Sequence, residues 1–268
     1  MITFAVVGHN EATLLPNALR QAHEASRPGE PVWFVDSAST DGSGEVAGSL
    51  GAEVVRAPLG KGRAVSAAIA RCRTRYICLL DADVESTTRN TPATLREALE
   101  RSRADMVVGE FEWPEKSFRP VTTAIWDPLT RALFPEAAAA IARVPLSGFR
   151  VLDVELARNG LPDGFGLEVH LNIVGTLGGR RTETVDIGRY SGPVRSNPDL
   201  PAEIAAAILD IAQREGRLAG SARSQWEEWL APVLELVAAA DPSDHARRTM
   251  LIDAAARPLP DTGIVPTG

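Results

Sequence analysis

Four short polar clusters hold the residue types that could do chemistry in this chain: Gly8-His9-Asn10-Glu11, Asp36-Ser37, Gly60-Lys61-Gly62 and Asp81-Ala82-Asp83. Asp81 and Asp83 are two residues apart, and strand side chains repeat every two, so both carboxylates face one side for as long as a strand persists. Carboxylate oxygens are hard ligands for Mg²⁺ or Mn²⁺, ions that also take up diphosphate oxygens. Lys61 offers a point charge to a phosphate, and its flanking glycines allow a close backbone approach. Asp36-Ser37 supplies acceptors suited to a base or ribose. The Ser39-Thr40-Asp41-Gly42 that follows also suits the cap of the next helix.

These clusters need elements to position them. Short apolar runs predict strands at 2–7, 32–35, 53–56, 76–80 and 105–109. Amphipathic spacing predicts helices at 12–25, 43–50, 63–71 and 91–102. That alternation is the pattern of an α/β fold with a mostly parallel sheet flanked by helices, in which ligands bind at the carboxyl ends of the strands. Three clusters follow predicted strands and the fourth, around Lys61, opens a helix, so all four are expected to converge on one cleft. From Phe111 the pattern changes. Helices are predicted at 121–134 and 136–143, a strand at 148–152, a helix at 153–159, a glycine-rich turn at 163–166 and an apolar helix at 167–177. A strand at 182–187 and helices at 202–215 and 224–240 follow, and the tail from 257 reads as disordered.

With 268 residues, 44% hydrophobic and 24% charged, the chain has the balance of a globular protein. Its formal charge of −7 argues against bulk affinity for nucleic acid or anionic lipid, so a phosphate-bearing ligand must be captured locally. No apolar stretch approaches the roughly 20 residues of a membrane span, and the start lacks the features of a signal peptide. Two cysteines, Cys72 and Cys78, are too few for a disulfide framework. These features point to the cytoplasm and leave a homodimer open.

The first three clusters with their flanks, Val6-Val7-Gly8-His9-Asn10-Glu11-Ala12, Val35-Asp36-Ser37-Ala38-Ser39-Thr40-Asp41-Gly42 and Gly60-Lys61-Gly62, together with Asp81-Ala82-Asp83, resemble the nucleotide-sugar half of GT-A glycosyltransferases. Farther on, Asp127-Pro128-Leu129, Pro145-Leu146-Ser147-Gly148, Gly164-Phe165-Gly166-Leu167-Glu168-Val169 and Val185-Asp186-Ile187-Gly188 resemble the retaining glucosyl-3-phosphoglycerate synthases in the same order. The resemblance spans about residues 2–215. It implies a nucleotide-sugar-binding half at 1–110 and an acceptor-binding half at 111–200 of one GT-A domain, while the helical pattern adds a C-terminal segment at 201–256, ahead of the tail at 257–268.

Carried over residue by residue, the resemblance implies that Val7, His9, Glu11 and Ser37, with Asp36 and Ala82, line the nucleotide and that Lys61 meets the diphosphate. It makes Asp83 the main metal ligand, with Asp81 as a second metal residue that also supports the sugar or ribose, and puts Glu168 beside the sugar. Arg119, Thr122 and Gly148 fall on the acceptor side. The implied activity is transfer of a hexose from a UDP- or GDP-sugar to a small polar acceptor such as 3-phosphoglycerate or a secondary-metabolite intermediate, with a divalent cation and with retention at the anomeric carbon. The chain also departs from the family. Val7 stands where a proline usually ends the first strand, and Ser147-Gly148-Phe149 replaces Gly-Gly-Glu. The histidine that completes the metal shell downstream of Val185-Asp186-Ile187-Gly188 is missing, which leaves Arg195 as a substitute source of positive charge. Helical geometry sets His170 about 200° round from Glu168, away from that shell. A sugar-phosphate nucleotidyltransferase and a catalytically weak nucleotide-sugar-binding protein remain as alternatives.

Overall fold

Alternating βα units occupy the first 112 residues, as the hydrophobic pattern predicts. β1 (Ile2–Gly8) leads through α1 (Leu15–Ala25), β2 (Val32–Ser37), α2 (Ser43–Ser49), β3 (Glu53–Ala57) and α3 (Lys61–Arg71) to β4 (Tyr76–Asp81). The two-residue β5 (Ser86–Thr87), α4 (Thr91–Ser102) and β6 (Met106–Glu112) follow. The second half contributes α5 (Asp127–Leu133), α6 (Pro135–Ala140), β7 (Arg150–Asp153), α7 (Leu167–Leu177), β8 (Thr182–Ser191), α8 (Leu200–Arg214), α9 (Arg223–Ala238) and α10 (His245–Ala255). The structure, a computed structural model, describes residues 1–113, 118–141, 143–158, 160–193, 197–239 and 245–264.

Strand alternation divides the core into two layers. Phe4 and Val6 of β1 pack with Leu15, Leu19 and Leu95 on one face of the sheet. Ala5 and Val7 pack with Val65, Ile69 and Leu167 on the other. A third cluster, built by α5, α8 and α9 around Trp226, forms the helical segment. The sheet runs β3-β2-β1-β4-β7-β6-β8-β5. β1 to β4 are mutually parallel, β7 is antiparallel to both β4 and β6, and β8 is parallel to β6. After β1 the chain moves outward to β2 and β3, then returns to the opposite flank of β1 as β4. The crevice between the ends of β1 and β4 is therefore a topological switch point, where open α/β sheets bind ligands.

Several elements differ from the sequence expectation for identifiable reasons. α1 starts at Leu15 rather than residue 12, because the Glu11 and Ala12 N–H groups donate to Ser43 Oγ (2.9 Å) and Asp41 Oδ2 (3.0 Å). The 121–134 helix opens with a π-helical turn, Thr122–Trp126, before α5. The helix expected at 153–159 is only a 3₁₀ turn at Val154–Leu156, since Asp153 belongs to β7 and uses its carboxylate to accept from Glu155 N. α10 escapes the sequence pattern because it has no apolar stripe; Leu251 is its one buried residue.

The expected disordered tail is anchored through residue 264. Arg257 lies over Trp229, Trp226 Nε1 donates to the Asp261 carbonyl (3.1 Å), and Ala219 N donates to the Thr262 carbonyl (2.9 Å). A Pro- and Gly-rich composition excludes helix there but does not exclude packing. Residues 265–268 lie outside the described set. Among the described residues no helix is long and apolar enough to cross a membrane, and both cysteines are buried free thiols.

Trp226 is fully buried at the centre of the helical cluster. Trp226→Ala is expected to cost about 3–5 kcal/mol in urea unfolding. A loss below about 1 kcal/mol would show that this segment does not fold as one unit with the sheet.

Candidate functional site

Register brings the polar clusters to one edge. Gly8 of β1 lies opposite Asp36 of β2, and Val7 lies opposite Asp81 of β4, so the three strands end side by side. They open onto a cleft of about 460 Å³ lined by Val7, His9, Glu11, Ser37, Lys61, Asp81, Ala82 and Asp83, together with Leu59, Gly60 and Phe165. His9 is fixed by a 2.8 Å hydrogen bond between Nδ1 and the Ser37 carbonyl. Ser37 Oγ accepts from Gly60 N at 3.0 Å. Asp36 is the exception among the expected lining residues. Its buried carboxylate accepts from Ser39 N at 2.8 Å and so caps the turn, leaving the cleft wall to its neighbour Ser37.

Lys61 lies at the floor of this cleft. Its ammonium bridges Asp81 Oδ1 (2.9 Å) and Glu168 Oε1 (2.8 Å), with Glu168 only 5% exposed. Burial alone would lower the Lys61 pKa, but the two carboxylates reverse that and hold it above the ordinary lysine value. Lys61 is also the first residue of α3, where the helix dipole disfavours a cation, so its position depends on those two anions. Glu168 sits in the first turn of α7, where the dipole favours it. The flanking glycines serve a purpose other than the one read from the sequence. A Cβ on Gly62 would overlap the Pro162 carbonyl, so they admit the protein's own 162–163 segment against α3. Arg63 locks that segment, donating to Asp163 Oδ2 from Nη2 (2.8 Å) and from its backbone N to the Asp163 carbonyl (3.1 Å).

The antiparallel β7 delivers the next residues. Arg150 pairs with Leu79, so the chain just before β7 meets the end of β4, and Gly148 lies against the Asp81 carboxylate where any Cβ would overlap it. Arg150, 1% exposed, donates to the Ser147 carbonyl and to Asn172 Oδ1 (3.1 Å), while Asn172 Nδ2 donates to the Pro145 carbonyl (2.7 Å). Together they hold the 145–148 loop in place. Burial draws the Arg150 pKa down, and the Glu168 and Asp81 charges oppose that. Among the described residues the site then sets four carboxylates, Glu11, Asp81, Asp83 and Glu168, against two cations, Lys61 and Arg150. Tyr190 registers this excess. Burial, then the charges of Asp83, Asp81, Glu85 and Glu11, push its phenol above the ordinary range, and its hydroxyl donates to the Asp83 carbonyl at 3.4 Å.

Arg119 and Thr122 are not in this cleft. They line a separate pocket of about 170 Å³ with Phe111, Trp113, Val144 and Leu146. Arg195 lies outside the described residues. His170 faces a third cleft of about 980 Å³ beside Arg214; burial, then the Arg214 charge, lowers its pKa, and it does not approach the carboxylates around Lys61. Sequence reasoning missed Arg150 and Phe165 as site residues. A charged residue inside the apolar run Phe149-Arg150-Val151-Leu152 was the available signal for the first. The second is aimed by Glu203 of α8, whose carboxylate accepts from Phe165 N at 2.6 Å, a contact 38 residues away in the chain and invisible to local pattern.

A mostly parallel sheet, with an acid-lined cleft at its switch point and an antiparallel strand bringing a glycine against the cleft's carboxylate, defines a glycosyltransferase of the GT-A fold. Residues 3–156 match glycosyl transferase family 2, and the chain belongs to that family. A comparison with curated proteins gives no match. Among solved structures the chain is similar to mannosyl-3-phosphoglycerate synthase from Rubrobacter xylanophilus, at 24% identity and TM-score 0.72 over 82% of this chain and 76% of that one. It is also similar to glucosyl-3-phosphoglycerate synthase from Mycobacterium tuberculosis in complex with Mn²⁺, UDP-glucose and phosphoglyceric acid, at 22% identity and TM-score 0.69 over 79% of each chain.

Lys61→Met leaves Asp81 and Glu168 facing each other without their shared cation. It is expected to cost on the order of 3–5 kcal/mol in denaturant unfolding, the scale for removing one partner of a buried ion pair. A change under about 1 kcal/mol would show that the bridge is not a structural constraint.

Proposed function

We propose that the protein transfers a hexose from a UDP- or GDP-sugar to a small hydroxylated acceptor, with retention at the anomeric carbon. The observation that carries this reading is the convergence of Val7, His9, Glu11, Ser37, Lys61, Asp81 and Asp83 on one cleft at the switch point. His9 and Ser37 suit the base and ribose. Lys61 suits the diphosphate as a point charge at the cleft floor, while the Arg63 N–H at the amino end of α3 is already taken by the Asp163 carbonyl. Lys61 gives two of its three N–H donors to Asp81 and Glu168, which leaves one for a phosphate oxygen.

A divalent cation fits this donor set. The cleft has more carboxylates than cations among its described residues, so an anionic diphosphate needs added positive charge, and Asp83 with Asp81 offers hard oxygens for Mg²⁺ or Mn²⁺. Among the described residues no group of three His, Cys, Asp or Glu side chains could hold the ion by itself. It would therefore be bound through Asp83, water and the donor's own phosphates, and there it supplies charge neutralisation for the departing nucleoside diphosphate. The similar Mycobacterium tuberculosis structure contains Mn²⁺ together with UDP-glucose.

In the transfer, the acceptor oxygen forms a bond to the anomeric carbon as the bond from that carbon to the β-phosphate oxygen breaks. The acceptor proton passes to the leaving phosphate, so no separate base is required. Glu168, paired with Lys61, stabilises positive charge on the sugar, and Lys61 holds Glu168 and Asp81 in register.

Asp83→Asn tests the reading. Calorimetry should show wild-type UDP or GDP affinity rising with Mn²⁺, the rise disappearing in Asp83→Asn, and turnover falling by on the order of 10²-fold or more at unchanged Tm. Near-normal turnover in the folded variant would contradict it.

A further inference from the structure

The pocket around Arg119 has a chemistry of its own. Phe111, Trp113, Val121, Val144 and Leu146 give it apolar walls, and Arg119 is the one cation lining it among the described residues. The Phe111 and Trp113 rings are tilted against each other at 6.4 Å, and Phe149 and Tyr190 back them, so the aromatic wall is rigidly packed. Half-buried Arg119 lies over the Phe111 ring at 5.3 Å, with hydrogen bonds to the carbonyls of Phe111 (3.0 Å) and Arg143 (3.2 Å). Those bonds orient the guanidinium but do not neutralise it, and Arg119 forms no ion pair among the described residues. Glu110, whose charge also reaches Arg119, lies 4.0 Å from the Arg143 guanidinium. Burial and the Arg143 charge accordingly draw the Arg119 pKa down. A partly desolvated guanidinium beside a second one, with donors to spare, is a site for an anion.

The pocket and the cleft share a loop. Val144 and Leu146 line it, and the same loop reaches Gly148 against the Asp81 carboxylate two residues later. Its volume of about 170 Å³ is below the ~300–1,000 Å³ of drug-sized sites, so it holds one small molecule. Phosphoglycerate is a polyanion without an apolar body. It would leave the aromatic wall unused.

We propose that this pocket binds the acceptor and selects a monoanion with an apolar body, a hydroxylated aryl or branched-alkyl carboxylate, whose carboxylate meets Arg119 and whose body lies on Phe111 and Trp113. The proposal rests on the glycosyl-transfer reading for the word acceptor. The hydroxyl of that molecule is then the group that bonds to the anomeric carbon, while the carboxylate is only a handle.

Four probes separate the contributions: 3-phenyllactate has both charge and body, glycerate only charge, 2-phenylethanol only body, and 3-phosphoglycerate carries extra charge without body. Each is titrated into the full chain by ligand-observed NMR, with and without UDP and Mn²⁺. Phenyllactate is expected to bind at least ten-fold more tightly than the other three. Arg119→Gln should reduce it to the level of phenylethanol, with Tm reporting an intact fold. Tightest binding of 3-phosphoglycerate, or phenyllactate affinity unmoved by Arg119→Gln, would overturn the proposal. If neither UDP nor GDP bound, the transfer reading alone would fall, because the ranking of the four probes without nucleotide still decides the chemistry of the pocket.

Discussion

Lys61, held between Asp81 and Glu168, is the interaction on which the rest of the site depends. The three residues come from α3, the end of β4 and the first turn of α7, elements that belong to the two halves of the chain. A cation at the first position of a helix is unfavourable unless anions face it, and two carboxylates close together are unfavourable unless a cation lies between them. Each side therefore needs the other, and the ion bridge joins the halves where the chemistry is placed. Arg150 adds a second cation beneath the bridge, and its hold on the 145–148 loop keeps Gly148 against Asp81.

The antiparallel β7 makes this possible. A parallel strand beside β4 would bring the residues that follow it to the cleft, whereas the antiparallel β7 enters from the carboxyl edge and brings its preceding residues to Asp81. The 162–166 segment closes the other wall. It rests on α3 through Gly62 and Arg63 and on α8 through Glu203, so Phe165 reaches the cleft on a brace supplied by the C-terminal helices. The helical segment, which lies beyond the stretch matching family 2, thus takes part in shaping the cleft.

What was legible in the sequence follows the range of the forces involved. The ends of β1, β2 and β4 could be read because strand, turn and polar cluster are contiguous, as in Tyr76 to Asp83. Lys61 was identified from its neighbours, but the reason for its glycines was not, since Pro162 meets Gly62 from a hundred residues away. Asp36 looked like a ligand contact and is a turn cap; both uses need the same carboxylate at a strand end. Arg150, Phe165 and Tyr190 owe their places to β7, Glu203 and the extension of β8, all long-range pairings without a local signature. α10 stayed hidden because a helix with one buried residue has no stripe to detect.

The central claim is that the cleft breaks the bond between a sugar and a nucleoside diphosphate. Phosphorus NMR of the protein with UDP- and GDP-sugars, Mn²⁺ and a mixture of small hydroxylated acceptors reads that bond directly. The account predicts that UDP or GDP accumulates with both phosphorus atoms retained and that the sugar leaves without phosphate. Appearance of sugar 1-phosphate with nucleoside monophosphate or pyrophosphate, or no turnover of any donor by folded protein, would contradict it.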